Sequence, residues 1–483
     1  MTTPHVKRLD IVLAPSHKRV LVRPGGNFDE QRGVRIVSRA LALSEDEVET
    51  VLDNVLREFS DRHLDTEGIF LRNFERARFL LTTDRDLSTE RQMLIGACFT
   101  QEYSLESAAL FNPSIVPHPN QGGVANGTLR FMLSLRATGE GHISSIVFRS
   151  GSIDADGEVT IDPSSPFVTE PETIPNASYE KALFERKLSE LGLVNGIGER
   201  VMAQLDDTFT QVELVRTIRE VRRTLPSDQH ASAILEGIRA LAESNYEVRF
   251  QRDQTEAERA IFPHSPSQEK GIEDARFTRF IEDDGTPVYY ATYTAFDGQL
   301  ILPQLLETRD FLDFRFSTLN GPAARNKGMA LFPRRIRGLY AMLGRQDNEN
   351  IYLMYSDNVH FWYDPQVLIR PAHSWELLQI GNCGAPIETE AGWLVLSHGV
   401  GPMRKYCIGA FLLDREDPSR VIGRLSEPLI KPTENEREGY VPNVVYTCGA
   451  LLHHNTLLIP YAMADYATGF ATVNIHELLK AMK

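Results

Sequence analysis

Between Leu43 and Phe59 the chain reads LSEDEVETVLDNVLREF. Val48, Val51, Leu52, Val55, Leu56 and Phe59 fall on one helical stripe. Ser44 and Glu47 form a capping box at its start. A short extended piece, RVLVRPG, precedes it, while TEGIFLRNFERARFLL and STERQMLIGACFTQ continue the helical period. From about residue 105 the period becomes two: GTLRFMLSLRA and HISSIVFRSGSID read as strands separated by turn residues. DPSSPFVTEPETIP, rich in Pro, Ser and Thr, is a connector. Helical spacing returns in ASYEKALFERKLSELGL, GERVMAQLDDTFTQVELVRTIREVRRTL and ASAILEGIRALAES. Strands then dominate to the end, as in PVYYATYTAF, NIYLMYSDN, GWLVLSHGV and TLLIPYAMAD.

Short strands over more than 200 residues predict a mainly β chain built as a barrel, sandwich or propeller. Strand pairs around DN, DG and HN turns favour four-stranded blades. The boundaries that follow are a helical N-terminal region (1–95), a first β part (96–171), a helical insertion (172–246) and the β remainder (247–483). The two helical parts are expected to pack together as one unit.

Of the 483 residues, 42% are hydrophobic and 24% charged, the balance of an ordinary globular protein. A formal charge of -15 argues against nucleic acid or an anionic membrane as main partner and suits a small neutral ligand such as a sugar. The opening residues hold no apolar core of signal-peptide length, and no run approaches 18 apolar residues. Cys98, Cys383, Cys407 and Cys448 form no CxxC pair, so buried thiols in a reducing cytoplasm are expected, without a disulfide framework or structural zinc. The histidines match no metal spacing, and P-loop, GxGxxG and GxSxG motifs are absent. GGNFDEQRG near the start reads as a turn, not a phosphate cradle.

The stretch GIEDARF, residues 271–277, places charge where the apolar pattern wants a packed strand. Strict alternation puts Ile272, Asp274 and Arg276 on one face and Glu273, Ala275 and Phe277 on the other. A carboxylate beside a guanidinium stays ionised, whereas one facing an apolar sugar pocket is pushed up and can act as an acid. Alone, the motif reads as a surface ion pair at a strand edge rather than as a catalytic acid.

It is followed by NKGMALFPRRIRGLYAMLGRQ, WELLQIGNCGAPIETEAGWLVLSHGV, EGYVPNVVYTCGALL and YAMAD. In this order and spacing the chain resembles glycoside hydrolase family 130, the β-mannoside phosphorylases and β-mannosidases, over about 105–160 and 247–483. The resemblance implies a five-bladed β-propeller with its site in the central channel, acting on β-mannosides with inversion. It makes Asp274 the general acid, protonating the glycosidic oxygen by relay through a mannosyl hydroxyl. Ala275 stands where the family usually has Pro. Sugar contacts are implied for Asn112, Arg136, Arg276, His398, Tyr406 and Asp465. No cofactor is implied, and the partner is a small carbohydrate, with a homo-oligomer as a further expectation.

The nucleophile is phosphate or water. A buried phosphate dianion needs several cations or amides around it. The family's phosphate residues fall on Asn326, Lys327, Arg345 and Gln379, the last where phosphorylases carry Lys. One lost charge-assisted bond, at roughly 1.5–3 kcal/mol, weakens anion binding several-fold to several-hundred-fold. Arg404, in GPMRKY, is the candidate replacement; Glu388 and Glu390 are the candidate bases if water attacks. Phosphate is the favoured reading, water the alternative, and a non-catalytic sugar-binding propeller the second alternative.

Overall fold

The computed structural model describes residues 4–25, 29–174, 178–225 and 229–482. Residues 26–28 of the GGNFDEQRG turn and residue 175 of the connector lie outside them. Among the described residues most β strands fall into five antiparallel groups, none closing on itself, beside smaller pairs such as Ser16–Pro24 with Thr100–Glu106. The first is Ala109–Pro117, Leu129–Thr138 and Ser144–Ile153. The second is Gly271–Ile281, Pro287–Phe296, Ile301–Thr308 and Asp313–Thr318. A single parallel pairing, Gly271 with Ser144, joins these two into one sheet. The third runs from Ala330–Leu331 through Tyr340–Gly344 and Ile351–Ser356 to Gln366–Ile369. The fourth is Gln379–Asn382, Gly392–Gly401, Lys405–Leu413 and Val421–Arg424.

The fifth group, Val445–Tyr446, Thr456–Met463 and Ala467–Asn474, takes its outer strand from the other end of the chain. Val6–Leu13 pairs with Ala467–Asn474, with Val6 opposite Val473. Its alternating charges hid this strand in the sequence, and its partner lies over 450 residues away. Arg8 fastens it, donating from Nε to the buried Glu436 carboxylate at 2.8 Å. Tyr461 donates to the same carboxylate at 2.6 Å.

The apolar faces meet in pairs. Phe148 of the first group packs with Phe277 and Tyr289 of the second. Phe280 and Tyr290 of the second pack with Tyr340 and Met342 of the third. Leu343 and Leu353 of the third meet Trp393 and Phe411 of the fourth. Leu394 and Ile408 of the fourth meet Leu457 and Ile459 of the fifth, while Leu458 and Phe470 of the fifth meet Phe131 and Leu133 of the first.

The N-terminal helices are Glu30–Leu41, Glu45–Phe59, Thr66–Ala77 and Thr89–Cys98. The Ser44–Glu47 capping box forms as expected. Of the predicted stripe, Val48 and Leu52 are buried, whereas Val51 is exposed. Gly96 lets two of these helices touch: a Cβ there would lie 1.8 Å from the Phe70 carbonyl oxygen. The insertion carries four further helices, Lys181–Glu190, Gly196–Met202, Gln211–Thr224 and Gln229–Glu243. The two sets keep separate apolar clusters, one around Val37 and Phe74 and the other around Phe209 and Leu214, instead of forming one unit. Each set has enough apolar stripe to build a small core of its own. Cys383, Cys407 and Cys448 are buried, but Cys98 is exposed. No described helix is long and apolar enough to cross a membrane.

Candidate active site

The expected alternation through GIEDARF fails at one residue. Glu273 lies opposite Thr294 and Arg276 opposite Thr292, so Asp274 and Ala275 together face one partner position. This bulge sends Ile272, Ala275 and Phe277 into the core and turns Glu273, Asp274 and Arg276 toward one polar cluster. Ala109–Pro117 carries a matching bulge between Phe111 and Ser114. Asn112 and Asp274, at the two bulges, both have left-handed backbone, with φ of 49° and 54°. Asn326, Arg404 and Asp465 share that conformation at 69°, 53° and 50°. Non-glycine residues held there cost energy and gather where side chains must be aimed.

The bulged residues meet. Asn112 Nδ2 donates to Asp274 Oδ1 at 2.6 Å. Arg136 lies 3.4 Å from the same oxygen and donates to Glu273 at 3.0 Å, while its Nε is held by Ser144. Lys327 pairs with the other Glu273 oxygen. Burial pushes the Asp274 carboxyl up, but Arg136, Arg276, the Asn112 amide and Lys327 outweigh it and hold the group below the usual carboxylate range. Asp465 differs. Burial and the Asp274 charge, opposed by Arg136 and Arg404, raise it to about 6.

Arg276 is a buried brace. It donates to the Cys383 carbonyl (2.9 Å), to the Asp274 carbonyl (2.8 Å) and to the Tyr446 hydroxyl. Its pKa is raised: burial lowers it, but Tyr446, Cys448 and Asp274 more than compensate. His398, only 1% exposed, faces inward as well. Burial, then Arg345 and Arg276, push its pKa well down, so the ring is neutral. Its Nε2 accepts from Arg345 at 3.0 Å, which leaves the proton on Nδ1. Tyr406 stacks on the ring with centroids 5.8 Å apart, and Tyr446 meets it edge-on at 5.0 Å. The histidine expected to touch sugar is thus bonded to Arg345 and stacked on Tyr406.

Among the expected phosphate residues, Asn326 donates to the Arg345 carbonyl at 2.9 Å. Gln379, with its amide turned to satisfy both neighbours, accepts from Arg345 at 3.2 Å and donates to the Asn348 carbonyl at 3.2 Å. Lys327, Arg345, Gln379 and the Asn326 backbone thus lie on adjoining segments. Arg404 is exposed, its guanidinium 5.9 Å from the centre of the Tyr406 ring. Glu388 is not aimed at this cluster: it sits cross-strand from Trp393, bound by Arg334 at 2.8 Å and Arg415 at 3.0 Å. Glu390 is an exposed turn residue. The two bases offered for a water route are therefore a surface ion pair and a solvated carboxylate.

Two participants escaped the sequence reading. Glu273 was assigned to the opposite face because the bulge is invisible to a period-two count. Tyr446, in NVVYTCG, read as one more strand residue, and only the fold brings its hydroxyl to Arg276.

The family model described as β-1,4-mannooligosaccharide phosphorylase matches residues 228–483. A 1,2-β-oligomannan phosphorylase from a Thermoanaerobacter species is 34% identical over 231 residues, 46% of this chain and 74% of the relative. A β-1,2-mannobiose phosphorylase from Listeria innocua is 31% identical over 231 residues, 46% of this chain and 63% of the relative. The solved structure of a Listeria innocua β-1,2-mannobiose phosphorylase with β-1,2-mannobiose is similar at 22% identity and a TM-score of 0.47, covering 79% of this chain and 93% of that one. The chain belongs to glycoside hydrolase family 130.

Proposed function

We propose that this chain is a β-mannoside phosphorylase, cleaving a β-mannosidic bond with inorganic phosphate to release mannose 1-phosphate with inversion. The names of the relatives, phosphorylases of β-1,2- and β-1,4-linked mannosides, support the substrate class and the nucleophile. One observation carries the site assignment. Asp274 is a half-buried carboxylate on a left-handed bulge, held by Asn112 and Arg136 with Lys327 close by.

A phosphate oxygen bonds to the anomeric carbon from the face opposite the leaving oxygen. The C1–O bond breaks, its electron pair stays on the leaving oxygen, and that oxygen takes the proton that Asp274 supplies through a mannosyl hydroxyl. Acid and nucleophile stand on opposite faces of the sugar, as inversion requires. The cations that hold Asp274 down oppose its role as an acid at neutral pH. A phosphate dianion at Lys327 and Arg345 offsets that field, and a bound sugar expels water, so both co-substrates together favour the protonated form. Gln379 contributes a dipole in place of a charge. Asp465 accepts from sugar hydroxyls once ionised.

The same reading takes the five strand groups as blades of a five-bladed β-propeller, with this pocket in its channel. Its support is that each group shares an apolar cluster with the next and the fifth with the first. Regions 1–95 and 172–246 are then accessory helical units on the propeller. Incubating the protein with β-linked manno-oligosaccharides, with and without phosphate, tests the reading. Mannose 1-phosphate formed only with phosphate is the expected product; free mannose irrespective of phosphate overturns it.

A further inference from the structure

Three exposed aromatic side chains from three separate segments gather beside the Asp465 turn. Tyr440 is 61% exposed and Tyr466 46% exposed, a large apolar surface to leave in water at neighbouring points. His142 stacks on Tyr440 with ring centroids 5.6 Å apart and planes inclined by 28°. None of the three has a place in the chemistry above.

The backbone fixes their position relative to the pocket. Ala464 and Asp465 are both left-handed, at φ of 49° and 50°, and this tight turn separates the half-buried Asp465 from the exposed Tyr466. The Tyr440 segment lies directly on that turn: Val441 donates its amide to the Ala464 carbonyl at 2.9 Å. Gly439 permits the approach, since a Cβ there would lie 2.6 Å from Ala464 Cβ and 3.1 Å from Tyr466 Cβ. Leu110, two residues before Asn112, donates to the Tyr466 carbonyl at 2.8 Å. The His142 loop follows the Leu129–Thr138 strand, whose Arg136 reaches Glu273 and Asp274. All three aromatics therefore stand at the end of the strands that carries Asn112, Arg136 and Asp465.

We infer that Tyr440, stacked on His142, and Tyr466 form the platform for the acceptor sugar, the part of the mannoside on the leaving side of the scissile bond. This rests on the phosphorylase reading. A pyranose presents an apolar face of C–H groups that stacks on an aromatic ring, while the ring's polar tip remains wet. An aromatic shelf beside the Asp465 turn thus takes the next sugar of an oligosaccharide. It selects for a second pyranose over an alkyl leaving group of equal reactivity. It borders the fifth strand group, whereas Lys327 and Arg345 flank strands of the third, so the shelf is expected to leave phosphate binding untouched.

The test separates the two co-substrates. Tyr440→Ala, Tyr466→Ala and the double variant are assayed for phosphorolysis of β-linked mannobiose and mannotriose, and in reverse with mannose 1-phosphate and a sugar acceptor. The double variant is expected to raise KM for the oligosaccharides and the acceptor roughly 10-fold or more, with KM for phosphate within twofold of wild type. Tyr440→Phe, which keeps the ring, restores most of the loss. An active wild type whose double variant leaves acceptor KM unchanged overturns the inference. So does a rise in phosphate KM parallel to that for sugar, which marks a general disturbance of the fold. A wild type that yields no mannose 1-phosphate from any β-mannoside refutes the phosphorylase reading itself, a result distinguishable from either.

Discussion

Asn112 and Asp274 sit at matching bulges of strands in adjacent groups, 162 residues apart in sequence, and their side chains meet at 2.6 Å. Each bulge aims the side chain that the other requires. Asp274→Asn keeps the shape but removes the proton source, and kcat is expected to fall about 10²–10⁴-fold. Sugar binding, followed by calorimetry, is expected to survive. A variant with kcat near wild type would remove Asp274 from the acid's role.

Gln379 accepts a hydrogen bond from Arg345, so a lysine there sets two cations side by side. Gln379→Lys is expected to lower KM for phosphate several-fold while costing about 1 kcal/mol of stability without phosphate. Adding phosphate recovers that loss. Thermal unfolding with and without 10-fold excess phosphate over its KM reads both effects.

Asp465 titrates at about 6, above its unfolded value, through burial and the neighbouring Asp274 charge. A carboxyl raised in this way takes up protons on folding, so its stabilising contribution is present in acid and is lost as pH rises through 6. Asp465→Asn is therefore expected to gain stability relative to wild type between pH 4 and 7, by at most about 3 kcal/mol. The mannoside KM of wild type is expected to fall over the same range as the carboxylate forms, and that of the variant to stay flat. Parallel pH profiles for the two proteins would contradict the role assigned to Asp465.

Glu436 shows the opposite sign. Burial raises its pKa, but Arg8 and Tyr461 more than offset this and hold it below the usual range. Its contribution is present above the unfolded carboxyl pKa and lost as pH falls through the folded one. Glu436→Gln is expected to cost about 1–3 kcal/mol at pH 7 and progressively less in acid. Hydrogen exchange of the Val6–Leu13 strand is expected to rise selectively.

The family and the alternation of helical and strand regions were legible because they rest on local period and on ordered motifs. Asp274, Arg276 and Asn112 were found by that route, and the fold brings them together. What stayed hidden depends on distant or sub-period geometry. A one-residue bulge reverses the face of Glu273 without altering any residue type. The Val6–Leu13 strand is defined by a partner near the other end of the chain. His398 was matched to a sugar contact through the family's HGV motif alone, and its burial and bond to Arg345 could not be read from the sequence.

The pairing of Val6–Leu13 with Ala467–Asn474 also has a meaning for biosynthesis. During synthesis the Val6–Leu13 strand cannot find its neighbour until residues 467–474 have been made. Asn112 likewise waits for the Asp465 turn that Leu110 grips. Translation that stalls before residue 465 leaves Val6–Leu13 as an open edge and Asn112 without the turn that Leu110 grips, so the site cannot assemble until that turn has been made.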